Sequence, residues 1–445
     1  MKFHPSDMTL EGFYLSQGEE HQALLAHLVG CSRCSLRFRG MIECKPGEGE
    51  GEERSDLVAG SEEILREVDG LVKDRELAVA RERAAAPGLF VELLRLSPER
   101  QLLFIRNSPR FRTWGLCELF LERCRETAIQ NPAGAEDLAL LALEISVRLE
   151  PSCHRVGLIQ DLQARAWSHV GNARRVKSDF PGAEEAFRKA EALLRQGSRD
   201  PVEYALFLDL KASLRRGQRR FDDALKLLRR AVAIFRRTGH AHRAGRCLVS
   251  MDLIHCYAGR PEQGIPLLRE AIQLIDSDRE PRLRLCACHN LIHNLTEIGR
   301  YKEAQKIYQE IRPLYRDFPD PWTQNRRLWV KGRISLGLGR ILQAERLFLA
   351  ARTGFVAESV AYDTALVSLE LATLYAREGR TSDLKRLARE MYPIFSSLQI
   401  HREALAALAF LQQALQAEQV GVELVARVAD FLRRAEHDPG LRFEP

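Results

Sequence analysis

One segment joins residue types and spacing into recognisable chemistry: His27-Leu-Val-Gly-Cys31-Ser-Arg-Cys34. His27 and Cys31 stand four residues apart and share a helical face, and Cys34 follows after a short turn. One imidazole nitrogen and two thiolates can therefore converge on a tetrahedral ion. That donor set selects zinc over magnesium or calcium. A structural site needs a fourth ligand, and His4, His21 and Cys44 are the candidates. His21 lies six residues before His27, an awkward spacing for one helical face. The expected cofactor is a single structural Zn2+, since a module of this size commonly needs a metal to fold. A Cys-x-x-Cys pair can also do redox chemistry, but such pairs belong to strand–helix settings, and no strand is legible nearby.

A second His/Cys cluster comprises Cys286, Cys288, His289 and His293. The two histidines are at i, i+4 and could bind metal, yet they sit inside an apolar helical pattern with no further ligand set. Packed helix residues are the expected reading. Arg219-Arg220, Arg229-Arg230, Arg236-Arg237 and Arg326-Arg327 raise a nucleic-acid reading, but Asp222, Asp223 and Glu262 interleave with them as on a solvated face. No phosphate loop, nucleophile elbow, HExxH or dinucleotide fingerprint occurs, so no enzyme activity is expected.

The elements that must position these residues are helical. The chain has 445 residues, 45% hydrophobic and 29% charged, with a net charge of +6, which does not demand a nucleic-acid partner. Its longest apolar run, Ala404 to Leu411, is too short to span a membrane, and MKFHPSDMTLEGF lacks the apolar stretch of a secretory signal. A cytoplasmic location is expected, with the 10 cysteines reduced or metal-bound. Residues 1–44 hold the metal module. Residues 45–60 alternate Gly with Glu and read as a flexible acidic linker. Residues 61–155 read as capping helices, with Ser97-Pro98 and Ser108-Pro109 as helix starts, Asn131-Pro132 as a break, and Trp114 and Phe120 as core. Residues 156–435 form repeats, and 436–445 a tail.

The repeats are explicit. Gly259-Arg260, Gly299-Arg300, Gly339-Arg340 and Gly379-Arg380 recur every 40 residues, and one step earlier Arg220 keeps phase while its glycine slides to Gly217. Leu267, Ile307, Leu347 and Leu387 are in step, as are Leu228, Leu268, Tyr308 and Phe348. A small residue recurs at Ala183, Ala224, Gly264, Ala304 and Ala344, where two helices would cross closely. The pattern predicts a helix, a glycine-capped turn and an antiparallel helix, stacked with like neighbours. Trp167, Gly171, Ala183, Phe187 and Ala190, and again Ala344, Phe348 and Ala351, resemble the tetratricopeptide repeat (TPR) family over residues 164–435. The period of 40 instead of 34 implies longer helices, and Leu208 and Leu248 stand where Trp167 stood. The resemblance implies an all-α superhelical solenoid of TPR-like helix pairs that holds a protein or peptide in its groove.

The segment EEHQALLAHLVGCSRC resembles the zinc-binding domain of bacterial anti-sigma factors, with its HxxxCxxC signature. In that family an upstream His or Cys often completes the site, which implies His4 as fourth ligand beside His27, Cys31 and Cys34. The resemblance also implies a sigma factor as partner. The reading of the whole chain is a non-enzymatic bacterial regulator or scaffold; its competitor is a helical-repeat nucleic-acid binder using the Arg-rich faces.

Overall fold

A computed structural model of the chain describes Leu28 and residues 52–128, 131–151, 154–397, 422–435 and 441–442. Among these the regular structure is helical, with no strand. The chain divides into two compact units, residues 1–203 and 204–445.

The first unit contains α1 (Glu52–Leu94), α2 (Pro98–Asn107), α3 (Trp114–Thr127), α4 (Pro132–Ser146), α5 (Val156–Val176) and α6 (Phe180–Gln196). Its helix starts follow capping chemistry. Leu116 N–H donates to Thr113 Oγ1 (3.3 Å), Gly134 N–H to Asn131 Oδ1 (2.9 Å) and Gly182 N–H to Asp179 Oδ1 (2.9 Å). Pro98 and Pro132 occupy first positions as expected. Ser108-Pro109 does not begin a long helix: Pro109–Phe111 form one 3-10 turn, and the helix begins at Trp114 under the Thr113 cap. Residues from Glu52 are already helical, although composition reads a linker through residue 60. Leu93, Ile105, Phe111, Leu116, Phe120 and Ile145 fill the core, with Trp114 half-buried at its edge.

The second unit is built from near-identical helices. Most of α7 (Pro201–Gly217) belongs to it, followed by α8 (Phe221–Arg237), α9 (Ala241–Tyr257), α10 (Pro261–Leu274), α11 (Pro281–Glu297) and α12 (Tyr301–Ile311). A 3-10 turn at Leu314–Asp317 leads to α13 (Pro321–Gly337), α14 (Ile341–Ala357), α15 (Ala361–Arg377) and α16 (Thr381–Ser397), and α17 (Val422–Ala435) comes last. Helix starts recur every 20 residues from Pro201 to Thr381, and the turns within pairs, with some of those between pairs, share one left-handed cap. Gly259 and Gly299 are left-handed (φ 69° and 76°), and the following Arg260 and Arg300 N–H groups reach back to His255 and Leu295 carbonyls at 2.8 Å. Between pairs, Gly239 (φ 76°) does the same. Gly217 is the last residue of α7, and Arg219 (φ 57°) takes the left-handed position. The repeat kept its phase there by tolerating a strained arginine, not by moving the turn.

Packing inside each pair depends on the small-residue column. Ala224, Ala304 and Ala344 are fully buried. A Cβ on Gly332 would lie 2.6 Å from the Phe348 ring, as one on Gly171 would lie 2.8 Å from Phe187. The Gly-under-Phe contact of the first clear repeat thus returns four repeats later. Successive second helices are stapled at the surface by Arg236–Glu270 and Arg269–Glu303. No helix among the described residues is long and apolar enough to cross a membrane.

Candidate functional site

His4, His21, His27, Cys31, Cys34 and Cys44, the candidate zinc ligands, lie outside the described residues. Among the described residues no group of three or more His, Cys, Asp or Glu side chains is placed to hold a metal. The second cluster follows its expected reading. His289 Nδ1 is 2.8 Å from the Tyr315 hydroxyl, and burial pushes its pKa well below the ordinary value. Burial pushes the Cys288 thiol up to about 11, far from the thiolate a metal requires.

The polar chemistry of the second unit gathers on its first helices, α9, α11, α13 and α15. Each packs its apolar side on its own second helix and leaves one stripe turned away from it. On α11 that stripe is Arg282, Cys286, His289, His293 and Glu297, exposed or half-buried at helical spacing. On α13 it includes Trp322, Arg326 and Arg333. Adjacent first helices are joined by side chains some 40 residues apart in sequence, one junction buried against the second helix and one beside the stripe.

The first junction is centred on Asp252 of α9, which is fully buried. Asn294 Nδ2 donates to its Oδ1 at 2.6 Å and Asn290 Nδ2 to its Oδ2 at 3.2 Å. The Cys256 thiol donates to Asn294 Oδ1 at 3.2 Å. Burial dominates the acidity of Asp252 and lifts its pKa to about 6, against the pull of those hydrogen bonds. The carboxylate fills the space where a Cβ on Gly264 would stand, which explains glycine in a column otherwise held by alanine.

The second junction is charged. Arg333 of α13 holds Glu297 of α11 at 2.6 Å and Glu370 of α15 at 3.2 Å. Burial opposes ionisation of Glu297, but Arg333 overrides it and holds the carboxyl at about 2. Burial, then Arg333, lowers His293 to about 3, so its imidazole is neutral and Nε2 accepts from the Arg333 guanidinium at 3.2 Å. Two carboxylates therefore face one guanidinium. Beside them Arg326 stacks on the exposed Trp322 ring at 4.9 Å, with its Nε buried and unpartnered.

These residues escaped the sequence reading, although a signal existed. Asn294 stands in a column otherwise held by Leu214, Ile254, Ile334 and Leu374, and Asp252 in a column of Ala212, Ile292, Gly332 and Ala372. A polar residue interrupting an in-phase apolar column marks a buried contact between repeats. One arginine in each of three of the pairs raised for nucleic acid is engaged within the protein: Arg220 binds Asp223, Arg236 binds Glu270, and Arg230 lies 5.5 Å over the Tyr204 ring.

Comparison with solved structures supports the fold. The chain is similar to RapI in its apo form (TM-score 0.55, 14% identity, covering 84% of this chain and 100% of that one). It is also similar to a Rap protein complexed with competence and sporulation factor (0.53, 12%, 72% and 87%). A third likeness is to the apo form of the quorum sensor NprR from B. thuringiensis (0.52, 15%, 68% and 82%). At these identities the shared property is the TPR-like helical-repeat fold. No protein-family model matches the chain, and no curated protein matches it.

Proposed function

We propose that this chain is a non-enzymatic bacterial regulator that binds a peptide or protein segment on the shared face of α9, α11, α13 and α15. The observation that carries the reading is the polar ladder itself. Stacking repeats needs only apolar columns, and a buried carboxylate or ion-pair network costs stability that hydrophobic residues would not. Polar junctions retained along the first helices, with half-buried donors such as Asn290 and Arg326 and the exposed aromatic Trp322 beside them, suit recognition of an extended or helical segment. The likeness to a Rap protein complexed with competence and sporulation factor agrees with such a role. Residues 1–44 add a zinc module on His27, Cys31, Cys34 and His4, with a sigma factor as its partner and the cytoplasm as its location; this part rests on the sequence alone.

Selection of binders from a random peptide library on the full chain, followed by calorimetry, tests the reading. Selected peptides should lose at least about tenfold in affinity with Asn290→Ala or Arg326→Ala, the loss of one or two hydrogen bonds to a buried partner. Peptides indifferent to both substitutions, or bound equally by a duplex oligonucleotide competitor, would move the function elsewhere.

A further inference from the structure

The stripe left half-open on α9 and α11 closes toward the end of the array: on α13 Arg326 is half-buried but Trp329 is buried, and on α15 the stripe is covered. Arg246 and Val249 on α9, and Cys286 and His289 on α11, are half-buried, whereas their counterparts Leu366 and Leu369 on α15 are only 7% and 1% exposed. The cover is α17. Val425, Val428, Ala429, Leu432 and Ala435 form one apolar face, buried in a common cluster with α15, while Glu423, Arg427, Asp430 and Arg434 face outward. The Tyr362 hydroxyl, at the start of α15, donates to the Ala435 carbonyl at 3.3 Å.

A helix that only closed the end of the array would touch its last pair. Arg433 instead reaches Glu297, on the first helix two pairs earlier, at 3.8 Å. It thereby joins the junction in which Glu297 and Glu370 face the single Arg333, and supplies the second positive charge there. α17 therefore lies across the ladder, matching both its apolar end and its excess of negative charge.

Resting on the reading that this face takes a peptide or protein, we propose that α17 is a cis-acting stand-in for the partner. The partner it mimics is an amphipathic helix with apolar residues at i, i+3, i+4 and i+7 and a basic residue at i+8, as Val425, Val428, Ala429, Leu432 and Arg433 present them. Such a segment binds only when α17 leaves, so the chain is held closed until its partner competes. A helix of 14 residues has little stability alone, which makes its release a local event.

The probe is a synthetic peptide of residues 420–437. Its binding is measured to the wild-type chain and to the full chain carrying Val428→Asp and Leu432→Asp, which put charge into the apolar face of α17. The double variant should bind the peptide at least about tenfold more tightly than wild type. A peptide carrying Arg433→Glu should bind the double variant more weakly and recover when Glu297→Lys is added, a rescue that a purely structural cap would not show. Should the double variant misfold, a protease site placed between Ser397 and Val422 of the wild-type chain replaces it. After cleavage, excess peptide should exchange with the freed segment in native mass spectrometry. Equal binding by both chains, no binding to the variant, or a cleaved segment that never exchanges overturns the proposal. If library peptides still depend on Asn290 in that event, the general reading stands and only the role of α17 falls.

Discussion

At the scale of single residues, Asp252 is the most informative position. Its folded pKa of about 6 lies above the ordinary aspartate value, so its stabilisation is complete near pH 4 and is lost as pH rises through 6. The span corresponds to about 3 kcal/mol. Glu297 runs the opposite way: held at about 2, it stabilises above pH 4.5 and loses that contribution only as pH falls toward 2. Asp252→Asn should therefore flatten stability between pH 4.5 and 7.5 without touching the acid limb. Urea midpoints at those two pH values, wild type against variant, check this, and an unchanged difference would show that Asp252 is not the group responsible. None of this was legible from motif spacing, because Asp252 belongs to no motif. It shows only as a polar interruption in a column of small and apolar residues.

At the scale of elements, the glycine-capped turns were legible in detail. Gly259, Gly299, Gly339 and Gly379 do take left-handed conformations, and the small-residue column does lie at the helix crossings. What the sequence obscured is that the left-handed cap does not need glycine: Arg219 takes it inside the α7–α8 pair and Ser359 takes it between α14 and α15. Glycine substitutions should accordingly have opposite signs by position. Gly299→Ala forces an L-residue into the left-handed region and should cost about 1 kcal/mol. Gly88→Ala, inside α1 with no atom within 4 Å of the new Cβ, should gain about 0.5–1 kcal/mol. Thermal melts of the two variants measure both, and a loss at Gly88 would contradict the helical run of α1 through that residue.

At the scale of the whole molecule, the chain joins a proposed metal module to a repeat array with its own packing. Metal content of the full chain should be about one zinc, lost in a Cys31→Ser, Cys34→Ser double variant. The helical signal of the repeats should persist in that variant, because the described cores are closed by their own apolar residues. A metal-free wild-type protein purified under reducing conditions would remove the zinc module, and loss of the repeats together with the metal would show that the array depends on it.

The amino-acid sequence alone determined the helix pairs, their 40-residue period, the glycine caps and the small residues at the crossings. Each of these is a local preference repeated at fixed spacing, so a single linear pattern carries it. Only the tertiary structure decided that Asp252 meets Asn290 and Asn294, that Arg333 bridges Glu297 and Glu370, and that Arg433 of α17 comes to Glu297. Those encounters depend on how each helix is rotated against its neighbour and on where the last helix docks. Rotation and docking are set by the burial of whole apolar faces, which no spacing between the polar residues themselves encodes.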